Sequence, residues 1–474
     1  MAYETVIGLE IHAELSTKSK IYCNCSTEFG AEPNTQTCPV CTGMPGVLPV
    51  LNKQVVDFAI MAGLAMNCQI TRFGKQDRKN YFYPDLPKAY QTSQYDLPIC
   101  QNGYLEIESN GTTKRIGITR IHIEEDAGKL VHDDFRGVSF VDFNRCGVPL
   151  IEIVTEPDLR SAEEAKAFLE KVKAILEYTG VSDCKMQEGS LRCDINLSVR
   201  PFGQKEFGIR TEMKNINSFS AVVRAIEHES QRQIELLSEG KEVVQATRRW
   251  DDSKGRSVEL RSKEEAHDYR YFPEPDLVPI VISDEWIERI KNSLPELPDA
   301  KRKRYISELG LPEYDAAFIT ASKGMADYFE KVVECGAPPK IASNWIMGDI
   351  TKLMNEKELE SIPFAPEYLA KTISLIEKGL ISTTAAKKIV AALFEEEKDP
   401  EIIAKEKKLI QVSDESALLP IVKQILDENP KAVEEIRAGK DKAMGFLMGQ
   451  AMRATKGSAN PQVISKLIKD LLSV

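Results

Sequence analysis

The chain has 474 residues, of which 42% are hydrophobic and 28% are charged. A single hydrophobic core stops growing at roughly 250–300 residues, so this length predicts two or more domains, and the composition excludes a disordered protein. Its 62 Lys and Arg against 73 Asp and Glu give a net charge of −11, which argues against a general nucleic-acid coat protein. No apolar run approaches the roughly 18 residues that a membrane helix needs, and residues 1–5 do not begin a signal peptide. We therefore expect a cytosolic protein without a membrane segment.

The first 290 residues mix short β-like runs with turns rich in Gly and Pro. Residues 5–12 begin apolar and then alternate, which predicts a half-buried strand. One clear helix interrupts the strands: Ser161 is its N-cap, Glu164 occupies the capping-box position, and Gly180 ends it. A second helix is predicted from residue 221 to about 239. Further strand candidates are residues 115–118, 119–124, 139–143 and 150–154. This part of the chain is predicted to be one α+β domain, residues 1–292.

The remainder of the chain has a helical pattern. Residues from 299 to about 405 are helical throughout, with turns at 310–312 and 336–339. From residue 412 onward another helical segment follows, and its last helix begins with Asn460 as cap and Pro461 in the first turn. We predict an all-α domain over residues 293–405 and a small all-α domain over residues 406–474. Residues 437–474 hold seven cations and two carboxylates, a local charge of 7 − 2 = +5.

Four of the ten cysteines lie within nineteen residues. Cys23 and Cys25 form one pair, and Cys38 and Cys41 form another twelve residues later. In a reducing cytosol such thiols are metal ligands more often than disulfides, and this spacing is typical of two pairs holding a tetrahedral Zn²⁺. With four thiolate ligands the zinc would be structural. An iron–sulfur centre and four unrelated thiols are the alternatives.

Acidic residues occur on two of the strand candidates. Glu10 and His12 share one face of a strand, because alternate residues point the same way. Glu124 and Glu125 end another strand. Carboxylates that converge on one site repel each other unless a cation lies between them, and Mg²⁺ is the simplest such cation. Exposed acidic clusters without a metal are the alternative.

Residues 12–14 followed by paired cysteines also resemble the zinc nucleobase deaminase pattern. Pro39 lies inside the cysteine pair rather than before it, and the four cysteines complete a tetrahedral set without His12. The deaminase interpretation is therefore rejected.

Common nucleotide-binding and hydrolase motifs are missing from the sequence. It contains no G-x-x-x-x-G-K-[ST], no G-x-G-x-x-G, no G-x-S-x-G and no Ser/Lys glutaminase signature. Residues 77–85 and 268–276 instead interleave cations with aromatic residues before a proline. Such mixtures suit stacking and phosphate contact with a nucleotide or an RNA 3′ end. Two loops that pack onto a core through their rings are the alternative.

Together these stretches give the chain a resemblance to a known family. It resembles the B subunit of the bacterial three-subunit, glutamine-dependent tRNA amidotransferase. The matching pieces, which run in order along the full length, are residues 6–12, 45–49, 78–85, 122–129, 149–154, 188–194, 212–215, 269–276 and 442–450.

The resemblance implies an α+β N-terminal cradle domain with the active site, then the helical domain and a C-terminal tail domain that binds tRNA. It implies that ATP phosphorylates the side-chain carboxylate of glutamate on tRNA(Gln) or aspartate on tRNA(Asn), and that ammonia then displaces phosphate. A metal neutralises charge on the transferring phosphoryl group. Ammonia is expected from an amidase-like glutaminase A subunit, with a small C subunit completing a heterotrimer.

The resemblance also assigns roles to individual residues. Metal ligands are expected at Glu10, His12, Glu124 and Glu125, with Glu152, Asp194 and Glu212 as a second set. Catalytic roles are expected for Glu10, His12, Glu125, Lys79 and Arg192. Contacts with phosphates or with the acylated 3′ end are expected from Lys79, Tyr81, Arg192, Lys214 and Arg270, and all of these except Arg192 are expected to bind the nucleotide.

Two other functions compete with this expectation. A non-enzymatic, zinc-containing RNA-binding adaptor would show no Mg²⁺-dependent ATP affinity, and a free-standing amide ligase would act on glutamate without tRNA.

Overall fold

The structure, a computed structural model, describes residues 2–109, 111–133, 135–262, 269–412, 414–437, 441–455 and 459–472. It divides into two units, Met1–Pro298 and Asp299–Val474. The first unit is rich in strands and the second is helical, as the sequence predicts. The further division at residue 405 stays a prediction.

The first unit contains sixteen strands in its described residues. They are β1 (Tyr3–Glu14), β2 (Gln69–Ile70), β3 (Phe73–Gly74), β4 (Asp77–Asn80), β5 (Tyr90–Ser93), β6 (Cys100–Ser109), β7 (Thr112–Glu125), β8 (Lys129–Asp133), β9 (Val138–Asp142), β10 (Pro149–Thr155), β11 (Leu191–Pro201), β12 (Thr211–Lys214), β13 (Ala246–Asp251), β14 (Arg256–Ser262), β15 (Phe272–Pro273) and β16 (Ile280–Val281). Its helices are α1 (Lys53–Ala65), α2 (Ala162–Thr179), α3 (Phe219–Ser238) and α4 (Asp284–Asn292). The two runs predicted at 115–118 and 119–124 are one strand, β7.

Nine of these strands form the central sheet, in the order β14-β13-β12-β11-β1-β10-β7-β6-β2. Neighbouring strands are antiparallel except β12 and β13. Three smaller sheets consist of β15-β4-β5, β16-β3 and β8-β9.

The alternation in β1 gives the sheet one apolar and one polar face. Ile7, Leu9 and Ile11 are buried in a core that they share with α1, α2 and α3. Successive side chains of a strand point to opposite faces, so Glu10 and His12 lie on the face turned away from these helices. The helices therefore cover one face of the sheet and leave the polar face for chemistry.

Helix α2 has the ends that the sequence predicts. The Ser161 hydroxyl accepts a hydrogen bond from the backbone N–H of Glu164 at 3.2 Å, and Gly180 follows with φ +69° in the left-handed region. The capping box differs by one residue, since the Glu164 carboxylate accepts from the backbone N–H of Arg160, not of Ser161. Helix α3 begins at Phe219, two residues before the predicted start.

The second unit is built from helices. They are α5 (Pro298–Ser307), α6 (Glu313–Thr320), α7 (Lys323–Glu334), α8 (Pro339–Trp345), a π-helical segment (Ile346–Ile350), α9 (Thr351–Glu356), α10 (Pro366–Glu377), α11 (Thr383–Leu393), α12 (Pro400–Glu406), α13 (Glu415–Glu428), α14 (Pro430–Arg437), α15 (Asp441–Ala454) and α16 (Pro461–Leu472). Helices α13 to α16 share a hydrophobic core of their own. Among the described residues, no helix is both long and apolar enough to span a membrane.

Candidate functional site

A row of polar side chains crosses four neighbouring strands on the open face of the central sheet. His12 on β1 is paired with Glu152 on β10 and with Arg192 on β11, and Glu152 is in turn paired with His122 on β7. Directly opposed residues of antiparallel strands have side chains on the same face and in contact range. The register therefore joins residues that are up to 180 positions apart in the sequence.

The first group of possible metal ligands comes from this row. The Nε2 atom of His12 lies 3.4 Å from Oε2 of Glu152, and Nε2 of His122 lies 3.1 Å from the same oxygen. His122 Nε2 is also 3.1 Å from Oε1 of Glu124. One ligand atom from each of His12, Glu124 and Glu152 lies within 4.8 Å of the others, a spacing that suits a single cation.

Neighbouring cations keep both carboxylates of this group ionised. Burial raises the pKa of Glu124, but Lys79 and His122 together outweigh this effect, so the net pKa lies below its ordinary value. The pKa of Glu152 is far below its ordinary value because His122 and His12 outweigh the effect of burial. Burial lowers the pKa of His122, yet the two carboxylates raise it to about 9. At neutral pH the group thus presents two carboxylates.

A second group lies one strand pair further along the sheet. It contains Glu10 on β1, Asp194 on β11 and Glu212 on β12, whose oxygens also lie within 4.8 Å of one another. The Lys214 ammonium contacts Asp194 Oδ2 at 2.6 Å and Glu212 Oε1 at 3.1 Å, and Asn196 Nδ2 donates to Glu10 Oε1 at 2.8 Å. Here a lysine neutralises part of the charge.

Arg192 is held by a neighbouring acidic residue. Its guanidinium donates to Asp126 Oδ1 at 3.2 Å and Oδ2 at 2.5 Å. Asp126 is also hydrogen-bonded to Glu14, and burial together with this carboxylate raises the pKa of Glu14 to about 8. Glu14 and His122 were not predicted as site residues. Their positions, two residues after His12 and two before Glu124, are the signal that would have identified them.

Glu125 points away from both groups. Its carboxylate accepts hydrogen bonds from the Lys88 ammonium and, at 2.9 Å, from the backbone N–H of Thr92. It lines a cavity of about 170 Å³ whose walls include Tyr22, Lys88, Tyr90, Glu274 and Asp276. Gly43, with φ +67°, closes this wall, since a Cβ there would lie 2.3 Å from Lys88 Cγ. The expected metal-binding role of Glu125 stays a prediction.

The four paired cysteines come together in the structure. Their Sγ atoms lie within 4.8 Å of one another, and those of Cys38 and Cys41 are 3.9 Å apart. Tetrahedral zinc with bonds of about 2.3 Å places its sulfur ligands roughly 3.8 Å apart. The hydrogen bond with Cys23 and the nearby Lys20 lower the pKa of Cys41 to about 5, although burial opposes this. The cluster is compatible with a structural metal.

The segments 77–85 and 268–276, here called the two aromatic segments, form one surface in their described residues. Strand β15 pairs with β4, placing Phe272 opposite Arg78, and the Asn80 amide donates to the backbone carbonyl of Arg270 at 2.9 Å. The Tyr81 hydroxyl donates to Gln91 Oε1 at 3.2 Å. Asp268, the first residue of the second segment, lies outside the described residues.

Proteins of similar sequence identify the family to which this geometry belongs. Residues 5–288 match the family model described as GatB/GatE catalytic domain, and residues 327–472 match the one described as GatB domain. A Caldicellulosiruptor bescii protein, named as the B subunit of aspartyl/glutamyl-tRNA(Asn/Gln) amidotransferase, is 65% identical over 477 residues, covering 100% of this chain and 99% of that protein. Proteins of the same name from Thermoanaerobacter pseudethanolicus and Brevibacillus brevis are 60% and 56% identical; the alignments cover 100% and 99% of this chain and the same shares of those proteins.

The chain belongs to the amidotransferase B-subunit family.

In the structure, the predicted site residues of this B-subunit family member lie in different parts of the site. Glu10 and His12 share a face but enter different groups, which the pattern of one strand does not reveal. Lys79 acts electrostatically on Glu124 of the first group, and Lys214 forms ion pairs with two carboxylates of the second. Arg270 is exposed beside Tyr269 and Tyr271, in the left-handed region with φ +44°.

Proposed function

We propose that this chain, within an amidotransferase complex, uses ATP to phosphorylate the side-chain carboxylate of glutamate on tRNA(Gln) or aspartate on tRNA(Asn). Ammonia then converts the activated group to the amide. The observation that carries the proposal is the pair of carboxylate groups on neighbouring strands of one open sheet face, flanked by Lys79, Arg192 and Lys214. The family membership of the full chain supports it.

The chemistry explains why this face needs both signs of charge. A carboxylate oxygen is a poor leaving group, so the γ-phosphoryl group of ATP is transferred to it, giving an acyl phosphate and ADP. The nitrogen of ammonia then attacks the carbonyl carbon, phosphate leaves, and a proton is lost from nitrogen. The negative charge on the phosphates requires compensation, and the ammonium groups of Lys79 and Lys214 are the cations placed beside the carboxylates.

The first group fits a divalent cation. His12, Glu124 and Glu152 would hold Mg²⁺, because both carboxylates are ionised and the ligand atoms lie close together. Mg²⁺ would neutralise charge on the transferring phosphoryl group. Glu10, Asp194 and Glu212 offer a second position, whose charge Lys214 already reduces. Arg192 orients Asp126 at the end of β7.

The cysteine cluster is proposed to hold structural Zn²⁺. Four Sγ atoms within 4.8 Å of one another, with a sulfur–sulfur distance near that of a tetrahedral site, support zinc over a larger iron–sulfur centre. All four positions would be filled by protein, so the ion would stabilise the loop and not bind substrate.

The proposed partners are an amidase-like glutaminase A subunit, a small C subunit and the misacylated tRNAs. The naming of the relatives as B subunits supports a multi-subunit complex. The sequence has no Ser/Lys glutaminase signature, which supports a separate protein as the source of ammonia.

His12→Ala and Glu10→Ala test the proposal. Each should abolish Mg²⁺- and ATP-dependent amidation of Glu-tRNA(Gln) and Asp-tRNA(Asn) in the complex, with ammonium as nitrogen donor, because each removes a ligand from one group. Affinity for tRNA should change little. Glu163→Ala, an exposed carboxylate on α2, is the matched control and should keep full activity.

Normal amidation by both variants would remove the two groups from the chemistry. If the wild-type protein binds tRNA but shows no Mg²⁺-dependent ATP affinity, the chain is the RNA-binding adaptor instead. Amidation of free glutamate without tRNA would indicate a free-standing ligase.

A further inference from the structure

Four tyrosines from three segments form one aromatic surface beside Lys79, here called the tyrosine platform: Tyr81, Tyr95, Tyr269 and Tyr271. The rings of Tyr95 and Tyr271 are stacked, with centroids 4.4 Å apart and planes 10° from parallel. Tyr269 meets Tyr271 edge-on at 6.0 Å and Tyr81 at 5.9 Å. The platform is a property of the fold, since Tyr95 follows β5 and the other three belong to the two aromatic segments.

The platform is connected to the first carboxylate group by side-chain hydrogen bonds. The Tyr81 hydroxyl donates to Gln91 Oε1 at 3.2 Å, and Gln91 Nε2 donates to Glu124 Oε2 at 3.2 Å. The Lys79 ammonium lies 5.3 Å from the centre of the Tyr269 ring and acts electrostatically on Glu124. Burial and the nearby Glu124 and Glu152 raise the pKa of Tyr271, the residue on which Tyr95 is stacked. A molecule stacked on Tyr95 is therefore separated by one ring from a residue close to the proposed reaction site.

The exposed part of the platform suits a base at the end of a strand. Tyr95 exposes 53% of its surface and presents a ring already stacked on Tyr271, so an incoming base extends an existing stack. Arg270, which precedes Tyr271 in the chain, is exposed and offers a cation to a phosphate of the same RNA strand. The base of a small cofactor is usually enclosed by its pocket, whereas an unpaired RNA end reaches an open surface from solvent.

We propose that the tyrosine platform binds the unpaired 3′ end of the tRNA, with the terminal adenine stacked on the Tyr95 ring. This rests on the proposed function, because it places the amino acid esterified to that nucleotide toward Glu124 and Glu152. Tyr95 and Tyr271 are then positioning residues for the RNA substrate, and the two aromatic segments serve the RNA rather than the base of ATP.

The test compares uncharged tRNA(Gln) with the same tRNA lacking its terminal adenosine, bound to the full complex at one salt concentration without ATP. Loss of one stacked base corresponds to a rise in Kd of about 5- to 150-fold. Tyr95→Ala should cause this rise for intact tRNA and none for the shortened tRNA, whose affinity for the wild-type protein is already reduced. Tyr95→Phe keeps the ring and should bind intact tRNA like the wild type.

Phe135→Ala removes an exposed ring elsewhere in the first unit and is the matched control. If Tyr95→Ala weakens the binding of both RNAs equally, the role of Tyr95 is structural. If it raises the KM for ATP and leaves tRNA binding unchanged, the platform holds the base of ATP. Either result overturns the inference. Because the assay needs no turnover, a complex that fails to amidate but still shows the Tyr95-dependent difference would reject the proposed function and keep this one.

Discussion

At the scale of single residues, the buried carboxylate of Glu229 on α3 is stabilised by its hydrogen-bond donors. It is fully buried, and its carboxylate accepts hydrogen bonds from Arg232 at 2.6 and 2.9 Å, from Gln233 at 3.0 Å and from Thr211 at 2.9 Å. Burial raises the pKa of Glu229, but these donors lower it below its ordinary value. The network fastens α3 to β12 of the central sheet.

Glu229→Gln should lower the free energy of unfolding by about 3 kcal/mol at neutral pH, because an amide NH₂ then faces donors in a buried site. A carboxyl with a lowered folded-state pKa stabilises the protein above its unfolded pKa and loses this contribution as pH falls through the folded value. The Tm difference between wild type and variant should therefore be full at pH 7 and shrink below about pH 4. Thermal melting across this pH range measures it.

Glu235→Gln, an exposed position on the same helix, is the control and should leave Tm nearly unchanged. A Tm difference that stays constant down to about pH 3 would show that folding does not lower the pKa of Glu229.

At the scale of elements, the loop that carries the cysteines is fastened to the strands of the first unit. Asn34 donates to the backbone carbonyl of Val141 at 2.9 Å and accepts from the N–H of Phe143 at 2.8 Å, at the end of β9. The Cys146 thiol donates to the carbonyl of Cys41 at 3.3 Å. A metal at the cysteines would therefore hold the β9–β10 connection as well as its own loop.

Cys38→Ser should release about one zinc ion per chain and lower Tm by on the order of 5 °C, since metal binding and folding of such loops are coupled. Residues 28–37 should become accessible to protease, and elemental analysis with limited proteolysis measures both effects. Cys335→Ser, at an exposed cysteine after α7, should change neither. Metal-free wild-type protein would contradict the prediction.

At the scale of the whole molecule, the sign of charge is uneven along the chain. Residues 437–474 carry +5 on a chain of −11, so the remainder carries −11 − 5 = −16. Of the seven cations in residues 437–474, Lys440 and Lys456 and the side chain of Lys442 lie outside the described residues. Lys466 forms an ion pair with Glu415 at 2.8 Å, whereas Arg453 and Lys469 are exposed. Helices α13 to α16 have their own core, so their removal should leave the first unit folded.

Deletion from residue 414 onward should weaken tRNA binding and flatten its salt dependence, because each lost phosphate contact reduces the slope of log K against log salt by about 0.7–0.9. ATP affinity should not change. The variant with Arg437, Arg453 and Lys469 all replaced by Gln should keep the fold. It should show a smaller loss of tRNA affinity and a smaller loss of salt dependence than the deletion. A truncated protein that binds tRNA like the full chain at every salt concentration would assign the segment a structural role.

Several features were predictable from local patterns alone. The alternation in β1 places Glu10 and His12 on one face, the cysteine spacing predicts a four-sulfur cluster, and capping residues mark both ends of α2. The change from strands to helices near residue 298 also follows from the sequence. These features depend on residues a few positions apart, whose geometry is fixed by the periods of helix and strand.

Only the tertiary structure decided which distant residues meet. The period of two in a strand predicts which face of the sheet a side chain occupies, but not which strand lies next to it. Only the strand order β12-β11-β1-β10-β7 shows that Glu10 lies close to Asp194 and His12 close to Glu152. The same register places Glu124 in a carboxylate group and turns Glu125, one residue later, to a cavity. Sequence determined the kinds of groups on each face; strand pairing, set by burial of the opposite face against the helices, determined their neighbours.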